Sequence, residues 1–153
     1  MDGDKPVRRP SSVLFACNHN SVRSPMAEGL AKHYFGNRIY FDSVGLICEE
    51  VNGYAIAVMA EIGIDISRHR GKTFEELHDT SFDLIITMTP QAQHQALELT
   101  RNFAIDVEYW PTYDPTAVRG QREDILREYR ISRDYLAEKV KERFKDPAEP
   151  PIS

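Results

Sequence analysis

The chain has 153 residues, enough for one domain with a sizeable core, and its 41% hydrophobic and 28% charged content is that of a soluble globular protein. With 24 acidic against 19 basic residues the formal charge is −5, which argues against a non-specific nucleic-acid binder with its usual basic face. No apolar stretch nears the ~20 residues that span a bilayer, Met1 to Pro10 lacks the apolar segment of a secretory signal, and two distant cysteines cannot form a disulfide framework; a reducing, cytoplasmic setting without membrane contact is expected.

Residues 1–11 are polar and carry Pro6 and Pro10, so they read as a flexible N-terminal arm. Val13-Leu14-Phe15-Ala16 is a short continuous apolar run, the pattern of a strand buried on both faces. Ser24-Pro25 predicts a helix start, with Ser24 as N-cap and Pro25 at the first helical position. Met26, Leu30 and Tyr34 follow at helical spacing, and Gly36 is placed to end the helix. Ile39 to Val44 predicts a second strand, and Ala55 to Ile62 a helix stopping at Gly63. Phe82 to Ile86 reads as a third strand, and Gln91 to Leu99, just after Pro90, as a third helix. Ile105, Val107 and Tyr109 alternate with Asp106 and Glu108, as in a fourth strand at an edge. A long amphipathic helix is predicted from Arg122 to Phe144; Asp146-Pro147 ends it, leaving residues 146–153 as a flexible tail. Strands alternating with helices imply an α/β fold, a parallel sheet with helices on both faces, built as a single domain over residues 12–145.

In such a sheet ligands bind beyond the carboxyl ends of the strands. Cys17 stands at that end of the first strand and Arg23-Ser24-Pro25 opens the next helix. The stretch Asn18, His19, Asn20, Ser21, Val22, Arg23 and Ser24 can therefore gather backbone N–H groups around one anion, reinforced by the helix dipole. A phosphate would fit there, with the planar Arg23 fork binding two of its oxygens. The same positive field favours the thiolate form of a cysteine, and a thiolate beside a phosphoryl group is a nucleophile. A Cys-x5-Arg spacing alone is weak; the strand before it, the polar loop inside it and the Ser-Pro after it give it meaning.

A phosphocysteine intermediate needs an acid for the leaving alcohol and then a base for water. Asp114-Pro115 follows the fourth predicted strand and lies on the same rim, whereas Asp146-Pro147 merely closes the last helix. No pair of His, Cys, Asp or Glu has convincing metal-ligand spacing, so neither a structural metal nor a cofactor is expected. Arg68-His69-Arg70-Gly71-Lys72 reads as a solvated basic turn, and the charges from Arg119 to Arg133 as the solvent face of the last helix. His33, His78 and His94 carry no motif.

Cys17-x5-Arg23-Ser24-Pro25-Met26-Ala27-Glu28, the Gly-Ile-Asp-Ile-Ser stretch at Gly63 to Ser67 and the late Asp114-Pro115 resemble the low-molecular-weight protein tyrosine phosphatase superfamily, which includes arsenate reductases of the same fold. The resemblance implies a three-layer sandwich with a four-stranded parallel sheet. It also implies Cys17 as nucleophile, Arg23 as phosphate and transition-state binder, Asp114 as general acid then base, Asn20 as a brace of the loop and Ser24 as a hydrogen-bond partner of the Cys17 sulfur. The chain departs from that pattern in places. His19 replaces the usual Gly, a position that often needs a left-handed backbone. Val22 replaces the second loop cysteine of eukaryotic members, and Thr116 replaces the Tyr that walls their phosphotyrosine site. Thioredoxin-coupled arsenate reductases carry two cysteines after the third strand; here Thr87 to His94 has none, and Cys48 is the remaining internal thiol, an ordinary loop cysteine by its surroundings. The leading expectation is a cysteine-dependent phosphatase acting on an aryl or tyrosyl phosphate, of a small molecule or a phosphotyrosyl protein. The alternatives are an arsenate reductase served by an external thiol reductant, and a phosphate- or arsenate-binding regulator without turnover.

Overall fold

The structure, a computed structural model, describes residues 9–77 and 81–146; most of the expected arm, most of the expected tail and His78 lie outside the described residues. Four strands, β1 (Ser12–Cys17), β2 (Tyr40–Gly45), β3 (Leu84–Thr87) and β4 (Asp106–Tyr109), form one parallel sheet in the order β2-β1-β3-β4. Helices α1 (Arg23–Phe35), α2 (Gly53–Ala60), α3 (Pro90–Leu99) and α4 (Arg122–Phe144) complete a three-layer α/β sandwich. Val13 and Phe15 face α1, α2 and α4 across one core, while Leu14 and Ala16 face α3 across a second, because successive strand side chains point to opposite faces. A strand buried on both faces must be apolar throughout, which is why the run at Val13–Ala16 was legible.

Three helix starts differ from expectation for local reasons. Helix α1 starts at Arg23 with Val22 as its cap and no side-chain cap, so Ser24 lies inside the first turn; its hydroxyl is engaged by the site instead. Helix α2 starts earlier than its apolar periodicity, because Asn52 caps it by accepting from the N–H groups of Tyr54 and Ala55. Pro90 belongs to α3, with Thr89 capping through Ala92 N–H. Arg9 and Ser11, from the expected loose arm, are tied down: Arg9 Nε donates to Phe144 O at 3.0 Å, and Ser11 N–H and hydroxyl donate to Asp83 at 2.6 Å.

The strand order sets the site. The chain leaves β1 toward β2 on one side, and β3 enters on the other, so the loop after β1 opens at the switch point of the sheet. Register places Cys17 opposite Gly45, and Ala16 opposite Thr87, so the C-terminal ends of β1, β2 and β3 share one edge. Among the described residues, no helix is long and apolar enough to cross a membrane.

Candidate active site

Residues 18–22 form a loop whose carbonyls are held from outside. Those of Cys17, Asn18, His19 and Ser21 accept from the N–H groups of Leu46 (3.2 Å), Ile47 (3.0 Å), Glu49 (3.1 Å) and Asn52 (2.9 Å). In a trans peptide unit C=O and N–H point in opposite senses, so this anchoring turns the N–H ends away from the 46–52 segment and lets them gather around an anion. Gly45 permits the close approach: a Cβ there would lie 2.4 Å from Ile47 O and 2.7 Å from Asn20 N.

The left-handed residue of the loop is Asn20, with φ 52°, and not His19; among the described residues it is the one non-glycine with positive φ. Asn tolerates this region better than most residues. Its side chain then uses all its hydrogen-bonding capacity: Nδ2 donates to Ser24 Oγ (2.8 Å) and Ser43 Oγ (3.0 Å), while Oδ1 accepts from Lys72 N–H (2.9 Å) and meets His69 Nε2 at 3.1 Å. Ser24 Oγ in turn lies 2.9 Å from Cys17 Sγ. Behind His69, Glu28 accepts from Ser43 Oγ at 2.5 Å and stands 3.6 Å from His69 Nδ1. Burial pushes the His69 imidazole below its ordinary value and the Lys72 charge adds to this, against the opposing pull of Glu28.

The stretch Arg68–Lys72 is thus a solvated turn only in part: Arg68 and Arg70 are exposed, but the His69 side chain is only 8% exposed and Lys72 pairs with Asp42 at 2.5 Å. Nor is the last helix's charged stretch all solvent face, since buried Arg133 donates to Val58 O and Glu61 Oε1, each at 2.8 Å, clipping α2 to α4. His69, Ser43, Lys72 and Asn52 escaped sequence reasoning because they reach the loop from other elements. Glu28 belongs to the motif that begins at Cys17, but its buried partners carry no sequence signal.

On the open side a small cleft is lined by Cys17, His19, Ser21, Val22, Arg23, Asp114 and Thr116. Cys17 is buried at its floor. Arg23 is 8% exposed; its Nη1 donates to Thr112 O at 3.2 Å, and its Nη2 lies 3.7 Å from Asp114 Oδ2. Burial pushes the Asp114 carboxyl up, but the Thr116 N–H and hydroxyl, then the charges of Arg23 and His19, outweigh it and leave it below its ordinary value. His19 sits at the rim, 49% exposed, with Nδ1 2.9 Å from Glu49 Oε1. Asn18 Oδ1 accepts from Thr89 at 2.7 Å. Trp110 is core, packed at 6.1 Å centroid separation on Phe15, whereas Tyr113 is exposed beside Asp114. Cys48 is exposed and both cysteines are free thiols. Among the described residues no group of three or more His, Cys, Asp or Glu could hold a metal ion.

A strand–loop–helix cradle at the switch point, with a thiol on its floor and a guanidinium on its wall, defines a class: α/β proteins that hold an oxyanion against a cysteine. Within it, the chain belongs to the low molecular weight phosphotyrosine protein phosphatase family, whose profile matches residues 12–148. It is 30% identical to an arsenate reductase of Bacillus subtilis over 130 residues, 85% of this chain and 92% of that one. Among solved structures, it is similar to an arsenate reductase in the phosphate binding state, with a TM-score of 0.73, 31% identity and coverage of 86% of this chain and 95% of the other. It is also similar to a low molecular weight protein tyrosine phosphatase from T. tengcongensis, with a TM-score of 0.70, 26% identity and coverage of 84% and 93%.

Proposed function

We propose that this protein is a cysteine-dependent phosphomonoesterase that hydrolyses aryl phosphates through a phosphocysteine intermediate. The observation that carries this reading is the Asp114 carboxylate, whose Oδ2 faces Arg23 Nη2 at 3.7 Å on the wall of the cleft that has Cys17 on its floor. Hydrolysis needs such a group twice; reduction of arsenate by thiols does not need it to activate water. In this reading the loop N–H groups and Arg23 hold the phosphoryl oxygens and stabilise the charge that develops on them. The Cys17 thiolate attacks phosphorus, the P–O bond breaks, and Asp114 gives its proton to the leaving oxygen. The ionised Asp114 then takes a proton from the water that attacks the phosphocysteine. Phosphate leaves with the P–S bond broken, and Ser24 stabilises the departing thiolate by hydrogen bonding across 2.9 Å. His19, Asn20, Ser21 and Val22 contribute the shape of the phosphate loop. The two free thiols fit a reducing cytoplasm.

The test is turnover of a generic aryl phosphate between pH 5 and 8. Cys17→Ser abolishes it, Asp114→Ala lowers kcat by about 10²–10⁴-fold, and rapid quench traps phosphocysteine in the wild type. No aryl phosphate turnover anywhere in that range would end the reading.

A second reading, reduction of arsenate by an external thiol, is favoured by the 30%-identical arsenate reductase, of which the chain covers 92%. No cysteine follows β3, where Thr89 instead binds Asn18, so the resolving thiol would be Cys48 or the reductant itself. Arsenate-dependent oxidation of a coupled thiol, lost in Cys48→Ser, supports that reading. Phosphatase activity without arsenate turnover sinks it.

A further inference from the structure

Asp114 has two oxygens in different surroundings. Oδ2 faces Arg23 Nη2 at 3.7 Å, on the side where a bound phosphate would sit. Oδ1 is turned away and accepts two hydrogen bonds from one residue, the Thr116 N–H at 3.0 Å and the Thr116 hydroxyl at 2.7 Å. The first bond belongs to the turn: Asp114 caps the short 3-10 turn Pro115–Ala117. The second depends on the identity of the side chain, since only Ser or Thr at position 116 offers a hydroxyl there.

We infer that Thr116 is a positioning residue: its hydroxyl holds Asp114 Oδ1, turns Oδ2 toward the phosphate and favours the charged form of the carboxylate. The inference rests on the phosphomonoesterase reading. Hydrogen bonds to a carboxylate stabilise its charged form, and a carboxylate that stays ionised is a ready base for water but a scarce acid for a leaving oxygen. The charges around Asp114 act in the same sense: Arg23 from α1 and His19 from the loop both favour the carboxylate, and partial burial, the opposing influence, is outweighed. The other titratable groups near it, Tyr113 beside it and Tyr129 from α4, are neutral phenols at working pH that feel its negative charge. Acidic phenols and other low-pKa alcohols leave without a proton; simple alkyl alcohols do not. The Thr116 hydroxyl should therefore tell most on esters of weakly acidic alcohols, whose departure depends on protonated Asp114.

The experiment compares wild type with Thr116→Val, which keeps the N–H bond and the side-chain shape, and Thr116→Ser, which restores the hydroxyl. Position 116 is exposed, so both variants are expected to fold. For each, kcat/KM is measured against pH with dinitrophenyl phosphate, phenyl phosphate and an alkyl phosphate. In Thr116→Val the alkaline limb for the phenyl and alkyl esters moves up by about one pH unit, and above both limbs their kcat/KM rises by up to about tenfold. Dinitrophenyl phosphate changes less than twofold, and Thr116→Ser follows the wild type. An unmoved limb, a limb that moves down, or an equal change for all three esters would overturn the inference. A carboxyl-carbon NMR titration of Asp114 in wild type and Thr116→Val reads the same upward shift with no turnover required. A wild type that hydrolyses no ester but shows that shift condemns the phosphatase reading alone, whereas turnover with coincident titrations condemns the role of Thr116 alone.

Discussion

The two sides of the 18–22 loop are built to opposite standards. Behind it, Asn20, Ser24, Ser43, Glu28 and His69 are buried or nearly so and joined by hydrogen bonds from α1, β2 and the 68–72 segment. In front, His19, Asp114, Thr116 and Tyr113 are exposed, and the rim pair His19–Glu49 is solvent-facing. Buried polar groups are costly unless satisfied, so the rear network admits few substitutions, whereas exposed polar groups lose little when exchanged. Under the proposed function the contrast divides tasks: the rear holds the shape that would bind an oxyanion, and the front is free to set which ester reaches it.

The strongest way to break this division is at Asn20. Asn20→Ala removes four hydrogen bonds and puts a Cβ residue without a polar side chain at φ 52°, so a loss of about 3–5 kcal/mol in stability and at least about 10²-fold in phosphatase activity is expected, read by chemical denaturation and steady-state kinetics. Asn20→Gly relieves the backbone alone and recovers about 1 kcal/mol of that. His19→Ala, the matching change in front, is expected to alter stability by less than about 0.5 kcal/mol. A rear loss no greater than the front one would dissolve the distinction.

A smaller effect sharpens it through pH. The folded-state His69 imidazole lies below its ordinary value, so between the two values the unfolded chain binds a proton that the folded chain does not. Stability therefore rises with pH through that window, just below about 6.5, and falls as acid is added. His69→Gln keeps a donor toward Asn20 but cannot titrate; thermal unfolding from pH 5 to 7 should lose that slope. The smallest effect is expected away from the site, at Glu61. Arg130 and then Arg133 hold its carboxyl down at about 2 against 4.5 ordinarily, so its stabilisation is present above 4.5 and lost as pH falls toward 2. Glu61→Gln should flatten thermal stability over that interval without changing kinetics at neutral pH.

What could be read from the chain follows the same divide between local and distant. Cys17, Arg23 and the strand and helix around them are local in sequence, and the bounds of α4 follow from its periodicity and flanking residues. Asp114 was legible because an Asp-Pro after an edge strand lies on a known rim. Ser24 reads both as a helix cap and as a partner of the Cys17 sulfur; the fold keeps the second, across 2.9 Å, and gives the helix no side-chain cap. His69 reads as one more charge in a basic turn until β2 and α1 close over it. A single sequence shows hydrophobic period and turn chemistry; it does not show which polar side chains 15 to 52 residues apart will share one buried volume.

The anchoring of the loop carbonyls on residues 46–52 bears on how such sites are transplanted and found. An octapeptide from Cys17 to Ser24 grafted onto another strand–helix junction would bring the thiol and the guanidinium but no partner for its outward carbonyls, and would relax into some other shape. The unit that heredity or a protein engineer must move intact is therefore the motif together with the stretch that runs beside it after β2, so a search for kin of this site is better keyed to both segments, with a glycine at the close approach of Gly45, than to the eight letters alone.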